Sequence, residues 1–283
     1  MIGHENIKAE SSTSIGALLL DAGKISTADA ERIIAFQKQE GMRFGDAAKA
    51  LGLINEDDIQ KALSYQFDYP YLAASENNFC WELVAAYQPF SAQVEALRAV
   101  RSQLISRWLS EHNTLAIVSP SRHEARSSMA ANLAIVFSQL GERTLLIDAD
   151  LRQPRQHELF KLKNDYGLSD VMAGRADLTV VKKISAFRDL SLLLAGTVPP
   201  NPVELISRGL KNCLQQLQNQ YDVILVDTSA AEQGVDALVC SASCGASLLV
   251  VRQHQTRVDE VKRLKDELRG NGSLCLGAVI ADF

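Results

Sequence analysis

Two rhythms of apolar and polar positions divide this chain. From Leu115 to Val118 an apolar run leads into a short polar loop, and a helical pattern follows from Ser128 to Leu140. A second apolar run, Thr144 to Ile147, ends on Asp148 and Asp150. Strand, loop, helix, strand is the opening of a phosphate-binding α/β domain. Further apolar runs predict strands at Leu190 to Leu194, Val223 to Val226, Ser247 to Val251 and Leu274 to Ile280. Between them, longer periodic stretches predict helices at Pro202 to Asn219, Gly234 to Ser243 and Arg257 to Gly270. Such alternation builds a mostly parallel, doubly wound α/β sheet with helices on both faces.

The N-terminal stretch keeps a different rhythm, repeated at an offset of 29 residues. Ser14 to Gln37 and Arg43 to Gln66 are two 24-residue copies separated by five residues, Lys38 to Met42. Gly16 matches Gly45, Gly23 matches Gly52, Ile25 matches Ile54 and Asp29 matches Asp58. Each copy predicts two short helices, with Gly23 or Gly52 closing the first and Ser26 or Asn55 capping the second. One copy buries its apolar face against the other. The expected organisation is a helical repeat module over residues 1–72, a linker and amphipathic helix over 73–113, and an α/β domain over 114–283. The linker is read at Ala73 to Asn78 and the helix at Ser91 to Leu109. That helix carries Glu95, Arg98 and Arg101 along one side. A solvated face with one ion pair, worth a few tenths of a kcal/mol, is the plain reading; a contact between subunits is the sharper one.

Composition narrows the class. With 47% hydrophobic and 22% charged residues the chain is ordinary globular material. Its net charge of -5 argues against a nucleic-acid partner. No apolar run approaches the ~18 residues that span a bilayer, and the opening MIGHENIKAE carries no signal-peptide core. The five cysteines are an odd count without CxxC spacing, which reads as reduced, buried thiols in a cytoplasmic protein.

The candidate chemistry sits in the loop and at the strand ends. A working P-loop uses glycines so that successive N–H groups can turn toward phosphate oxygens. In the register GxxxxGK[ST] this chain offers Pro120, Ala125, Arg126 and Ser127, with Ser121, Arg122, His123 and Glu124 between them and Ser128 following. Only Ser127 keeps the expected type. Arg126 retains the charge on a wider, planar donor. Ala125 adds a methyl group where backbone and phosphate approach closely, and a positive φ there would add about 1 kcal/mol of strain. His123 also stands where a glycine would suit the turn, so a damaged loop is expected. The acids are better kept: Asp148 and Asp150 end one strand, and Asp227, followed by Thr228, ends another. A lone strand-end aspartate is more often a cap or a turn residue. Three on one crevice, with Ser127, fit a metal–phosphate site.

Two resemblances follow from these residues. Arg43, Phe44, Gly45, Gly52, Ile54, Ile59, Leu63 and Gln66 are similar to the motif of the N-terminal domain of type II secretion and type IV pilus ATPases. In some of those domains two such motifs, five residues apart, bind cyclic di-GMP, which would make Arg43, Gly45, Gly52 and Gln66 ligand contacts. Ser14 stands where the first copy would need its arginine, and a docking module is the reading these residues favour.

Downstream, Asp148-Ala149-Asp150-Leu151-Arg152 looks like a second Walker A motif (hhhDxDxR), and Ile224 to Thr228 looks like Walker B. With Gly167 to Val171 and Leu194 to Pro202, they resemble bacterial tyrosine autokinases of exopolysaccharide assembly, relatives of MinD/ParA-type P-loop ATPases. Within that group the likeness is to stand-alone chain-length-determinant kinases and runs from about Ser14 to Phe283. The resemblance implies ATP or ADP with Mg2+, held by the loop residues 121–128 and Arg152. Ser127, Asp148 and Asp227 would serve the metal, Asp150 the acceptor hydroxyl and Arg126 the phosphates. Glu95, Arg98 and Arg101 match the ExxRxxR motif through which such kinases form rings. The implied partner is a transmembrane polysaccharide co-polymerase, which would hold a cytoplasmic chain at the inner face of the membrane. The chain departs from the family at His123 and Ala125, and its last tyrosine is Tyr221, so its substrate tyrosines would lie on the partner. An impaired kinase, an inactive pseudokinase scaffold and a cyclic-di-GMP-responsive regulator all remain open at this point.

Overall fold

The computed structural model describes residues 14–66, 72 and 78–282, so most of the expected linker lies outside the described residues. The chain divides into two compact units, Met1–Tyr71 and Leu72–Phe283.

The first unit contains helices α1 (Ile15–Asp21), α2 (Thr27–Glu40), α3 (Phe44–Ala50) and α4 (Glu56–Gln66). Ser26 and Asp29 cap α2 reciprocally, and Asn55 and Asp58 repeat the exchange before α4. Gly23 and Gly52 close the first helix of each copy at φ of +65° and +67°. The shared core gathers Leu19, Ile33, Ala47, Ala48 and Ile59. Gly16 and Gly45 serve packing, because a Cβ on them would stand 3.1 Å from the Phe44 ring and 3.2 Å from Ile59 Cδ1. Lys24 pairs with Asp58 across the copies at 2.9 Å, and its hydrogen bond holds that carboxyl below its ordinary value.

The second unit opens with α5 (Val84–Tyr87) and α6 (Ala92–Leu104), capped by Ser91. The helix expected to run to Leu109 instead passes into a π-helical turn, Ile105–Leu109. That turn sends the Trp108 indole N–H to the Thr114 carbonyl at 2.8 Å. There follow β1 (Thr114–Val118), α7 (Arg126–Ser138), β2 (Thr144–Asp148), α8 (Gln156–Leu159), α9 (Leu168–Met172), β3 (Lys182–Lys183) and β4 (Leu190–Leu193). The remainder is α10 (Pro202–Leu217), β5 (Val223–Asp227), α11 (Asp236–Cys244), β6 (Ala246–Arg252), α12 (Val258–Gly270) and β7 (Leu274–Ala281). The sheet order is β3-β4-β2-β5-β1-β6-β7, parallel except for the β3–β4 pair. The short elements α8, α9 and β3 have too few residues to leave a periodic signal.

Strand alternation splits the core between the two faces. Leu115, Ile117, Leu225 and Leu248 meet α6 and α7, while Ala116, Val118, Ile224 and Leu249 meet α10, α11 and α12. Helix α7 begins at Arg126, two residues before the apolar pattern starts, and is buried on every side except at Met129. β5 lies between β1 and β2, which sets Asp227 level with Asp148. The functional candidates meet there.

On the side of β4, Gly167 approaches Leu194 so closely that a Cβ would stand 2.1 Å from its carbonyl oxygen. Asp170 pins the same junction, accepting from Gly167 N, Thr197 N, the Thr197 hydroxyl and Arg175. Burial alone would push this carboxyl up; the donors from Thr197, Gly167 and Arg175 outweigh it and hold the acid below its ordinary value of 3.8.

Gly167→Ala should therefore cost about 3 kcal/mol by overpacking. Gly174→Ala, at φ +69° with open space around it, should cost only about 1 kcal/mol. Urea denaturation separates the two, and equal losses would mean that the Leu194 contact is unimportant. Asp170 stabilises fully above its unfolded pKa and loses this contribution as pH falls through the lowered folded value. Stability measured from about pH 5 down to 2 should fall more steeply in the parent chain than in Asp170→Asn.

Candidate functional site

The loop between β1 and α7 holds two non-glycine residues in the left-handed region, His123 at φ 61° and Ala125 at φ 60°. Each conformation costs about 1 kcal/mol or more and persists only where the surroundings over-determine it. The surroundings do so. Ser121 N donates to Glu124 Oε2 at 2.9 Å, Arg122 N to Glu232 Oε1 at 2.8 Å, and Arg252 Nη1 to the His123 carbonyl at 3.3 Å. Glu124, only 1% exposed, also accepts the Thr256 hydroxyl. Burial pushes its carboxyl up against the bonds from Thr256 and Ser121. Ala125 is the residue before the first turn of α7, so the first N–H groups of that helix have no intrahelical partner and carry its positive end.

Beneath the loop lies a buried charge cluster. Arg126 Nε donates to Asp227 Oδ1 at 3.0 Å, Nη2 to Asp150 Oδ2 at 3.0 Å, and Nη1 to Ser119 Oγ at 3.2 Å. Asp148 Oδ2 accepts the backbone N–H groups of Arg155 and Gln156, and its Oδ1 accepts that of Asp150. Burial, and then the charge of Asp227, push the Asp148 carboxyl well above its ordinary value. Asp150 is raised by burial against the opposing pull of Arg126. Two of the three carboxylates thus share one guanidinium, and Asp148 is left to backbone N–H groups.

A cavity of about 310 Å³ opens above the cluster, lined by Arg122, His123, Ala125, Ser127, Gln153 and Arg155 among others. Ser128 turns aside and donates its hydroxyl to Glu82, which also pairs with Arg155. Arg152 directs Nε and Nη2 to Asp236. Among the described residues no group of His, Cys, Asp or Glu forms a ready metal cage. Mg2+ does not need one, because it is commonly bound through one or two carboxylates together with substrate phosphates and waters. The uncompensated acids beside Ser127 fit that mode.

The other candidates lie on α6 and in the helical unit. Glu95 and Arg98 pair with each other, and Arg101 Nη1 donates to the Val136 carbonyl of α7 at 2.7 Å. In the helical unit Arg43 is exposed at the start of α3, without a capping bond from its side chain. Gly45 packs on Ile59, and the side chain of Gln66 lies outside the described residues. Sequence reading missed Gln156, Glu82, Glu232, Asp236 and Thr256. No motif marks them, since each acts through a partner far along the chain.

Removing the guanidinium would leave Asp150 and Asp227 buried without their cation. Arg126→Ala should destabilise the second unit by about 3–5 kcal/mol, with Arg126→Lys in between. Urea unfolding tests this, and a loss below about 1 kcal/mol would be inconsistent with a buried pair in solution.

No protein-family model matches the chain. It is 34% identical over 195 residues to the putative tyrosine-protein kinase CapB of Staphylococcus aureus, covering 68% of this chain and 86% of that relative. The solved kinase domain of the Escherichia coli tyrosine kinase ETK matches with a TM-score of 0.67 and 32% identity, over 71% of this chain and 79% of that one. MinD of Pyrococcus horikoshii OT3, solved with Mg-ADP, shares the fold at 24% identity and a TM-score of 0.52, over 60% and 70% of the two chains. With its mostly parallel sheet and buried strand-end acids, the chain belongs to the family of bacterial tyrosine-protein kinases, on a MinD-like P-loop fold.

Proposed function

We propose that this chain binds magnesium–ADP or magnesium–ATP in the crevice above Asp148, and acts in exopolysaccharide chain-length control beside a membrane-embedded co-polymerase. The backbone of the loop carries this reading. His123 and Ala125 hold the positive φ that a phosphate cradle needs, so the loss of glycine alters the loop's chemistry more than its shape. Ser127 and Asp148 would serve Mg2+, with Asp227 behind them. Asp150 is the candidate for the acceptor hydroxyl, and tyrosines on the partner are the proposed acceptors. The neighbouring N–H groups of α7 and the side chains of Arg122 and Arg155 are available to phosphate oxygens. We place the chain in the cytoplasm, at the membrane through its partner. The Glu95–Arg101 helix is proposed as a self-association surface.

One observation favours a second reading, a scaffold that binds nucleotide and turns over little of it. Arg126 stands in the lysine position but spends its donors on Asp150, Asp227 and Ser119. Preorganised donors are worth about 100- to 1000-fold in rate, and a guanidinium held by two carboxylates is poorly placed to supply that. For the helical unit, docking to a partner is preferred over cyclic di-GMP binding, because Gly16 and Gly45 are engaged in helix packing.

Calorimetric titration with magnesium–ADP tests the main reading, with Asp148→Ala as control. Binding that vanishes in Asp148→Ala is expected, with the unfolding midpoint of that variant measured alongside because three backbone N–H groups lose their acceptor. No heat in the parent chain would sink the nucleotide reading. His123→Gly with Ala125→Gly should strengthen binding by about tenfold, as methyl and imidazole bulk leave the cradle. An unchanged Kd would count against the steric argument.

A further inference from the structure

Gln156 begins α8 and is fully buried, among groups that nothing in its local sequence would bring together. Its side-chain Nε2 donates to the Ser127 carbonyl at 3.0 Å and to Asp227 Oδ2 at 2.7 Å. Its backbone N–H donates to Asp148 Oδ2 at 3.0 Å. A single residue thus touches the loop serine and the strand-end acids of β2 and β5.

The orientation of the amide follows from these contacts. Two acceptors face the nitrogen, and turning the amide over would set an oxygen against a carbonyl and a carboxylate. Oε1 is therefore committed to the opposite direction, where it is buried and meets no donor among the described residues. A buried acceptor without a donor lowers stability, and an apolar side chain of the same shape would avoid that loss. Among the described residues nothing in the fold answers this oxygen, so the amide is kept for what its nitrogen holds. Asp227 has already committed both oxygens, Oδ1 to Arg126 and Oδ2 to Gln156. Its reach into the crevice therefore runs through these two neighbours.

We propose that Gln156 is a positioning residue for the magnesium–nucleotide centre. It locks Ser127, Asp148 and Asp227 into one arrangement. This rests on the nucleotide reading above and adds a residue to it. Outer partners of this kind typically change metal affinity by about 10- to 100-fold when removed.

The test is the dependence of ADP affinity on magnesium. ADP is titrated calorimetrically into the parent chain and into Gln156→Met, once with Mg2+ and once with a chelator. Magnesium should tighten ADP binding in the parent. In Gln156→Met that gain should shrink by about tenfold, while the affinity without magnesium stays within about twofold. The unfolding midpoint should fall, since Asp227 Oδ2 and the Ser127 carbonyl lose their donor. A full magnesium gain in Gln156→Met overturns the positioning role and leaves the nucleotide reading standing. Equal weakening with and without magnesium makes Gln156 merely structural and also overturns it. No ADP binding by the parent under either condition removes the nucleotide reading and this proposal together. Should Gln156→Met not fold, Gln156→Glu keeps the shape, replaces the donors and is judged by the same ratio.

Discussion

Three buried carboxylates crowd the carboxyl ends of β2 and β5, two of them on the guanidinium of Arg126, and much of the surrounding structure serves to keep that charge satisfied. Taking ions out of water is expensive unless pairing and hydrogen bonds replace the lost hydration. Here Arg126 answers Asp150 and Asp227, and three backbone N–H groups answer Asp148. Gln156 completes Asp227 and ties it to Ser127. The sheet order makes the cluster unavoidable, because β5 inserts between β1 and β2 and lays Asp227 beside Asp148. Asp148 alone of the three has no cationic side chain of its own, and burial, with the charge of Asp227, pushes its carboxyl well above its ordinary value.

The loop above the cluster illustrates how a fold tolerates the loss of glycine. His123 and Ala125 are strained where they stand, yet Glu124, Glu232, Arg252 and Thr256 hold the backbone from outside. The strain is thereby offset by contacts with Glu232 and with residues at and after the end of β6. A loop fixed by its frame can hold left-handed backbone at residues other than glycine. Its lip carries a methyl group, an imidazole and an engaged guanidinium.

The helical unit rests on a different principle. Two 24-residue copies bury each other, and the repeated glycines divide their work. Gly23 and Gly52 supply left-handed turns, while Gly16 and Gly45 let helices approach closely. The same residue type thus reflects backbone freedom at one position and the absence of a side chain at another, a distinction the repeat pattern alone does not draw.

Period and composition were enough to establish the doubly wound sheet, the long helices α7, α10 and α12, the paired helices of the repeat and their caps. These depend on local terms: burial of alternating or 3.6-period apolar positions, and side chains that cap the nearest N–H groups. The strand-end acids and the glycine-poor loop were legible for the same reason, since strand ends and turns are local. Tertiary structure alone decided the rest. It turned Arg126 inward, paired Arg152 with Asp236, broke the helix after Leu104 to seat Trp108, and brought Gln156 and Glu82 to the loop. Apart from the Trp108 turn, each of those contacts joins residues distant in sequence around a buried or half-buried charge, which no local pattern encodes.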